Sequence, residues 1–358
     1  MADPIPPWPG EFVALDIGDV FVRTAPASGA GEPALFVHGL GGSSRNWTDM
    51  MDLLSRPDEG AGDDIAAASA RSAASAGSAG SAGPAGPVLA SEALDLPGFG
   101  YSPVPASGDY SIDACAAAVV ALIDKRGRWP VHLVGNSLGG AVCTRVAARR
   151  PDLVRTLTLI SPALPDLRPR LVPLRIAAVI LPGFGRRALA RLETTPAQER
   201  TTQTIRDLFA DPTRMHPDRI REEIDEVARR DSLGYQSEVL IGSTRALVTE
   251  YTRRGARTLW RDAAKVTAPT LVIHGSHDRL VSPVTGARAA RVFPSAHVVV
   301  LPRIGHVAMM ERPDLVTRVM RGFFALADLS RSAGPAHAGQ AAGVGSASGG
   351  LPRVRPAP

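Results

Sequence analysis

Short apolar runs alternate with longer segments of helical periodicity along most of this chain. The apolar runs predict buried strands at residues 34–37, 88–94, 131–134, 154–160, 270–273 and 297–301. The segments between them predict helices at residues 45–54, 112–124, 138–149, 243–260, 284–292 and 307–326. Two alternating runs near the start, 12–15 and 20–23, predict an antiparallel hairpin. Because strands that alternate with helices form a parallel sheet covered on both faces, we predict an α/β fold.

Three segments interrupt this alternation. Residues 58–87 are low-complexity Ala, Ser and Gly, which predicts a disordered loop insertion without a catalytic role. Residues 163–235 are helical in pattern and punctuated by proline, which predicts an inserted helical cap. The tail, 329–358, is rich in Gly, Ala, Pro and Ser and is predicted to be disordered. The two halves of the predicted core are therefore residues 11–162 and 236–328.

A serine stands at the point where one predicted strand turns into a helix. The strand ends in Gly-Asn-Ser-Leu-Gly, with Ser137 at the centre and Gly135 and Gly139 on either side. A sharp strand-to-helix turn is crowded, and glycine two residues either side of its apex avoids a clash between a Cβ and the neighbouring backbone. This pattern predicts that the Ser137 hydroxyl projects from the sheet as a nucleophile.

A serine hydroxyl needs a base, and the base needs a group that orients it. Asp278 follows the predicted strand at 270–273, and His306 follows the strand at 297–301. Taken singly, the aspartate is explained as a turn cap and the histidine as the start of a helix. Because Ser137, Asp278 and His306 all follow strands, where the loops of a parallel sheet converge, we predict that they form a catalytic triad.

Hydrolysis by a serine also requires two N–H donors for the oxyanion. One is predicted to be the backbone N–H of Leu138, directly after the nucleophile. The other is predicted to come from the glycine-rich loop at residues 38–42, His-Gly-Leu-Gly-Gly, which we call the oxyanion loop. We predict Leu40 as this donor, with Gly41 as the alternative in register.

By these residues the chain resembles the α/β-hydrolase superfamily, in the capped branch that contains esterases, C–C hydrolases, haloperoxidases and epoxide hydrolases. The resemblance covers about residues 13–327 and lies in residues 38–42, 95–103 (Asp-Leu-Pro-Gly-Phe-Gly-Tyr-Ser-Pro), 135–140, Asp278, and Gly305-His306. It implies a mostly parallel, eight-stranded sheet with flanking helices and a helical cap. It also implies the chain order Ser, Asp, His, which is the order found here.

Departures from the family pattern narrow the range of activities that this chain could have. Epoxide hydrolases and dehalogenases use an aspartate nucleophile, whereas this chain has Ser137. Asn136 fits the C–C hydrolases, but Val307 stands where those enzymes usually carry a tryptophan. We therefore expect a serine hydrolase that cleaves a carboxylic ester through an acyl-enzyme intermediate. The alternatives are a C–C bond hydrolase of meta-cleavage-product type and, from another class, a non-catalytic ligand-binding α/β-hydrolase module.

Composition and charge add few constraints. The net charge is +5, but acidic residues are spread among the arginines, so we expect no nucleic-acid partner. No cysteine–histidine spacing suits zinc and no dinucleotide-binding glycine motif follows a strand, so we expect no metal and no cofactor. The partner expected is a small-molecule ester or acyl substrate, and nothing in the sequence indicates an oligomeric state. Cys115 and Cys143 fall in predicted helices as reduced core residues, which favours a cytoplasmic protein.

One stretch of the predicted cap has an unusual charge pattern. Residues 167–192 contain six arginines and no acidic residue, with apolar side chains between them. Such a surface predicts weak contact with an anionic membrane surface. The alternative is a solvated cap whose apolar side packs on the core. No apolar run reaches the length of a membrane-spanning helix.

Overall fold

The sheet of this protein is seen in a computed structural model that describes residues 4–27, 30–57, 86–166, 171–181, 191, 194–255 and 258–332. Its strands are β1 (Gly10–Val13), β2 (Val20–Ala25), β3 (Glu32–Val37), β4 (Leu89–Leu94), β5 (Val131–Asn136), β6 (Val154–Ile160), β7 (Thr270–Gly275) and β8 (Ala296–Leu301). Within the described residues they form one eight-stranded sheet in the order β1-β2-β4-β3-β5-β6-β7-β8. Strand β2 pairs antiparallel with β1 and β4, and the other pairings are parallel. The predicted α/β-hydrolase sheet is therefore confirmed.

Helices cover both faces of this sheet. They are α1 (Thr48–Leu54), α2 (Ile112–Arg126), α3 (Leu138–Arg149), α4 (Leu171–Ala177), α5 (Ala197–Leu208), α6 (Pro217–Asp231), α7 (Gln236–Thr252), α8 (Leu259–Ala263), α9 (Val284–Val292), α10 (Ala308–Glu311) and α11 (Pro313–Ser332). Successive residues of a strand point to opposite faces. Along β7, Val272 packs in the core beneath α2, α3, α8 and α9, whereas Leu271 and Ile273 pack in the core beneath α1, α10 and α11.

The strand order fixes where the loops meet. The chain passes from β3 to β4 on one side and from β5 to β6 on the other, so the loops after β3 and β5 diverge. Open α/β sheets form their crevice at such a switch point, beyond the carboxyl ends of the strands. The oxyanion loop follows β3 and Ser137 follows β5, so both lie at this crevice.

Most predicted elements match the structure, and two helix predictions are wrong. The segment predicted as one helix at 243–260 is the longer α7 followed by the short α8, because the chain leaves helical conformation at Arg253. The segment predicted as one helix at 307–326 is α10 followed by α11. The break lies at Arg312, because the residue before a proline disfavours helical conformation and Arg312 is not helical.

The three interrupting segments fall largely outside the described residues. Of the predicted loop insertion at 58–87, residues 58–85 lie outside them, and Gly86 packs against the backbone of α11. Of the predicted tail at 329–358, residues 333–358 lie outside them. The first four residues belong to α11, so that boundary was wrong. Helices α4, α5 and α6 lie within residues 163–235, which we continue to call the cap as a predicted unit.

Both cysteines lie in the core of the described structure. Cys115 on α2 and Cys143 on α3 are buried and form no disulfide. Burial raises the pKa of the Cys115 thiol to about 12, so this thiol is not a ready nucleophile. No helix in the described part of the chain combines the length and the apolar character needed to cross a bilayer.

Candidate active site

Ser137 lies at the apex of a strained turn between β5 and α3. Its φ is +52° and its ψ is −115°, a conformation rare for any residue with a Cβ. The turn is close to β3: a Cβ at Gly139 would overlap the carbonyl oxygens of Val37 and His38. Glycine at this position therefore allows α3 to approach the neighbouring strand. Backbone strain of this kind is typical of functional sites.

His306 and Asp278 form a buried hydrogen-bonded pair. The Nδ1 of His306 lies 2.9 Å from Oδ2 of Asp278, and the side chains are 3% and 0% exposed. Donation from Nδ1 leaves Nε2 free of a proton in the neutral ring, which is the form that a general base requires. The structure thus brings together two of the three residues predicted to form a triad.

The carboxylate of Asp278 is held by further donors. Its Oδ1 accepts hydrogen bonds from the backbone N–H groups of Leu280 at 2.8 Å and Val281 at 2.9 Å. Burial alone raises the pKa of Asp278, but the charge and hydrogen bond of His306 and the Val281 N–H outweigh it. The pKa of this carboxyl therefore lies below its ordinary value, and the group is ionised at neutral pH.

The backbone of His306 is held from two directions. Its carbonyl accepts a hydrogen bond from Nδ2 of Asn136, at 3.3 Å, so the residue before Ser137 is linked directly to the histidine. Its N–H donates to the carbonyl of Leu208, the last residue of α5, at 2.7 Å. Ser137 is partly exposed, and no hydrogen bond joins its hydroxyl to His306 among the described residues. Catalytic hydrogen bonds are often long in enzymes without substrate.

The predicted oxyanion donors lie at the ends of β3 and β5. Among the described residues, the N–H groups of Leu40, Gly41 and Leu138 donate to no protein acceptor. Leu138 is the first residue of α3, where the helix dipole favours negative charge. The backbone N–H groups of Leu40 and of its register alternative Gly41 are therefore both available as oxyanion donors.

His38 fixes the start of the oxyanion loop. Its Nδ1 donates to the carbonyl of Gly39 at 2.7 Å, and its Nε2 accepts from the N–H of Leu96 at 3.0 Å. Burial lowers the pKa of His38, so the ring is neutral, as this pair of bonds requires. His38 therefore has a structural role at the start of this loop.

Helix α6 contacts the loops around the candidate site. Arg230 donates from a guanidinium nitrogen to the carbonyl of Gly41 at 2.6 Å, within the oxyanion loop. Arg229 donates to the carbonyl of Gly100 and lies 4.1 Å from the centre of the Tyr101 ring. Because both arginines are on the cap, its position is tied to the loops after β3 and β4.

Two other histidines, His274 and His277, lie just before Asp278 in the chain. His274 is buried at the end of β7, and burial lowers its pKa to about 4. His277 is exposed in the turn before Asp278, and its Nδ1 is hydrogen-bonded to the hydroxyl of Ser276 at 2.8 Å. In the part of the chain that the structure describes, no three His, Cys, Asp or Glu residues are grouped to hold a metal ion.

Sequence reasoning missed the residues that support His306 and the oxyanion loop. Asn136 stood out only as a mark of the C–C hydrolases, and its contact with His306 spans 170 positions of the chain. Glu311 accepts a hydrogen bond from the N–H of Gly305, the residue before His306. Neither Glu311 nor Arg230 stood out in the sequence. A charged residue on a short helix or an arginine among many arginines is indistinguishable from a solvated residue until the fold brings it to a partner.

A family model described as the alpha/beta hydrolase fold matches residues 92–313, which is more than half of the chain. This chain belongs to the alpha/beta-hydrolase family. The match includes Ser137, Asp278 and His306, and it begins after the oxyanion loop. Together with the relatives described next, it identifies the protein as a hydrolase.

Named relatives include lipases and C–C hydrolases. Lipase 1 of Psychrobacter immobilis is 24% identical over 326 residues, covering 89% of this chain and 85% of its own. The 2-hydroxymuconate semialdehyde hydrolase of Pseudomonas putida is 28% identical over 250 residues, covering 67% and 78%. Among solved structures, a bacterial membrane phospholipase A has a TM-score of 0.67 at 21% identity, covering 89% of this chain and 86% of that chain. At this identity the structural likeness bears on the fold alone.

Proposed function

We propose that this hydrolase cleaves a carboxylic ester through an acyl-enzyme intermediate on Ser137. The observation that carries the proposal is the buried hydrogen bond between His306 and Asp278, joined through Asn136 to the turn that bears Ser137. A buried aspartate that accepts from Nδ1 sets the tautomer of a histidine base. No other pair near Ser137 supplies this arrangement among the described residues.

In the first half of the proposed reaction, Ser137 attacks the ester carbonyl. The Nε2 of His306 takes the hydroxyl proton as the bond between Oγ and the carbonyl carbon forms. Asp278 stabilises the imidazolium without taking its proton. The negative charge on the carbonyl oxygen is stabilised by the N–H groups of Leu138 and Leu40, or of Gly41 in the alternative register.

Collapse of this intermediate breaks the bond to the alcohol, which leaves with the proton from His306. Water then attacks the acyl-enzyme, with its proton taken by the same nitrogen. A second tetrahedral intermediate releases the carboxylic acid and restores the Ser137 hydroxyl. Each step uses the same base and the same oxyanion donors, so one arrangement of side chains serves both halves of the reaction.

A C–C bond hydrolase of meta-cleavage-product type is the second candidate. Asn136 before the nucleophile favours it, and one relative carries the name 2-hydroxymuconate semialdehyde hydrolase. Val307, after the histidine, is 5% exposed and offers only a small apolar side chain where that branch usually has an indole. The lipase relatives and this departure together favour the ester.

The cap, residues 163–235, is proposed to cover the acyl group of the substrate. Each methylene buried against an apolar lining contributes up to about 0.8 kcal/mol of binding, so medium acyl chains should be cleaved better than acetate. Arginines at residues 167–192 are further proposed to give weak, salt-sensitive attraction to anionic membranes. We propose a cytoplasmic location as well, from the cysteine content.

A series of p-nitrophenyl esters from acetate to laurate tests the proposal. The parent should hydrolyse them with kcat/KM rising to a maximum at medium length, and Ser137→Ala should lose about 10⁴-fold or more in kcat. A fluorophosphonate should label Ser137 in the parent and label His306→Ala more slowly. Turnover of a vinylogous diketo acid without ester turnover would favour the C–C hydrolase. Ligand binding with neither turnover nor labelling would favour the non-catalytic module.

A further inference from the structure

Glu311 is a fully buried carboxylate that accepts four hydrogen bonds. Its Oε2 accepts from the backbone N–H groups of Gly305 at 2.7 Å and Ala210 at 3.1 Å. Its Oε1 accepts from the N–H of Asp211 at 3.2 Å and from the guanidinium of Arg214 at 2.8 Å. The side chain is 0% exposed. A buried carboxylate is costly unless it is paired and hydrogen-bonded, and here both oxygens are fully used.

These four donors come from two separate parts of the chain. Gly305 belongs to the histidine loop, which we define as residues 303–306. The other three donors belong to residues 208–214, which run from the last residue of α5 into the connection to α6 and which we call the cap joint. Glu311 itself is on α10, directly after the histidine loop. One carboxylate therefore fastens the cap joint to the loop that carries His306.

Other contacts join the same two segments. The carbonyl of Leu208 accepts from the N–H of His306, and Arg214 donates to the carbonyl of Arg303 at 2.9 Å. The approach at Gly305 is so close that a Cβ there would overlap the backbone of the cap joint. The histidine loop thus contacts the cap joint at Arg303, Gly305 and His306.

We propose that Glu311 is a positioning residue for His306, and that it makes the orientation of the base depend on the seating of the cap joint. This inference rests on the proposed function and extends it to residues that contact no substrate. Misplacement of a catalytic group by about 1 Å costs about a hundredfold in rate. Loosening the histidine loop is therefore expected to slow every step that needs His306.

Glu311→Gln is the perturbation that tests the role. The amide keeps one acceptor oxygen and replaces the other by an NH₂ group, so two of the four donors lose their acceptor. Glu250→Gln is the matched control: Glu250 on α7 is 3% exposed and accepts from Arg145 on α3. Among the described residues, no hydrogen bond joins Glu250 to the histidine loop or to the cap joint. Both variants weaken a buried ion pair, but only the first contacts the cap joint.

Three measurements separate positioning from a general loss of stability. Fluorophosphonate labelling of Ser137 and kcat on a medium-chain ester are expected to fall about tenfold to a hundredfold in Glu311→Gln, with KM nearly unchanged. Amide hydrogen exchange is expected to increase in both the histidine loop and the cap joint. In Glu250→Gln the labelling rate and the exchange of these segments should stay within about twofold of the parent, whatever its melting temperature.

The inference is overturned if folded Glu311→Gln labels at the parental rate, or if Glu250→Gln slows labelling equally. Should Glu311→Gln fail to fold, Arg214→Met removes one donor to the carboxylate and one to Arg303. That variant should slow labelling several-fold, and a parental rate there also overturns the inference. If the parent itself never reacts at Ser137, the proposed function fails, whereas hydrogen exchange still decides whether Glu311 couples the two segments.

Discussion

Replacement of Asp278 by asparagine should abolish catalysis while the fold is kept. The amide oxygen can replace Oδ1 and still accept from Leu280 and Val281. Its NH₂ group then faces His306 and donates to Nδ1, which forces the ring proton onto Nε2. In the opposite orientation the two backbone N–H groups lose their acceptor, at about 1–3 kcal/mol each, so the first orientation is favoured.

A ring that carries its proton on Nε2 cannot take the proton of Ser137. The expected loss in kcat is about 10⁴-fold, equivalent to about 5.5 kcal/mol of transition-state stabilisation. The assay is kcat on p-nitrophenyl butyrate, with a thermal melt on the same sample. Asp262→Asn, which removes a buried carboxylate charge beside Arg145, should keep kcat within about twofold. Asp278→Asn with more than about a tenth of parental kcat refutes the reasoning.

Asp278→Asn also tests how the stability of the fold depends on pH. The folded pKa of Asp278 lies below its ordinary value of 3.8, so its charge stabilises the fold above that pH. This contribution is lost as pH falls from the unfolded pKa to the lowered folded pKa, because in that window only the unfolded carboxyl takes up a proton. The difference in unfolding free energy between the parent and Asp278→Asn should therefore shrink in acid below pH 3.8. A difference that is constant with pH contradicts the shift.

Three further predictions concern other parts of the molecule. Burial lowers the pKa of His274 from 6.5 to about 4. Between these two values the imidazole is protonated in the unfolded chain only, so the free energy of unfolding decreases as the pH is lowered from 6.5 to about 4. In His274→Gln, urea unfolding should show a decrease in the free energy of unfolding over this pH range that is smaller by about 3 kcal/mol. The same pH dependence in the variant and the parent contradicts the prediction. Arg230→Gln removes the hydrogen bond to Gly41 and should lower kcat about tenfold at unchanged melting temperature. A parental kcat in this variant would show that the hydrogen bond does not position the oxyanion loop. Replacing residues 63–84 by a short Gly-Ser linker should leave activity and melting temperature unchanged, because the chain contacts Arg321 on both sides of this segment; a large loss of either shows a role for the segment.

Several elements were predictable from the sequence because their signals are local. Strand β6 and helices α3 and α9 have the predicted bounds, since each has a clear period between turn residues. The turn around Ser137 was equally clear, because glycine is required where a Cβ would clash with the neighbouring backbone. Helix α7 was misplaced because no strand or sharp change in composition marks where it begins.

The sequence by itself determined which residues could perform the chemistry: a serine between glycines, and an aspartate and a histidine after successive strands. Only the tertiary structure decided what holds them. The support of His306 comes from Asn136, Leu208 and Glu311, on three separate elements. Periodicity reports which face of an element is buried, whereas contacts between distant segments depend on strand order and on loops that pack together. For that reason the sequence alone could suggest the candidate reacting groups, but not the residues that orient them.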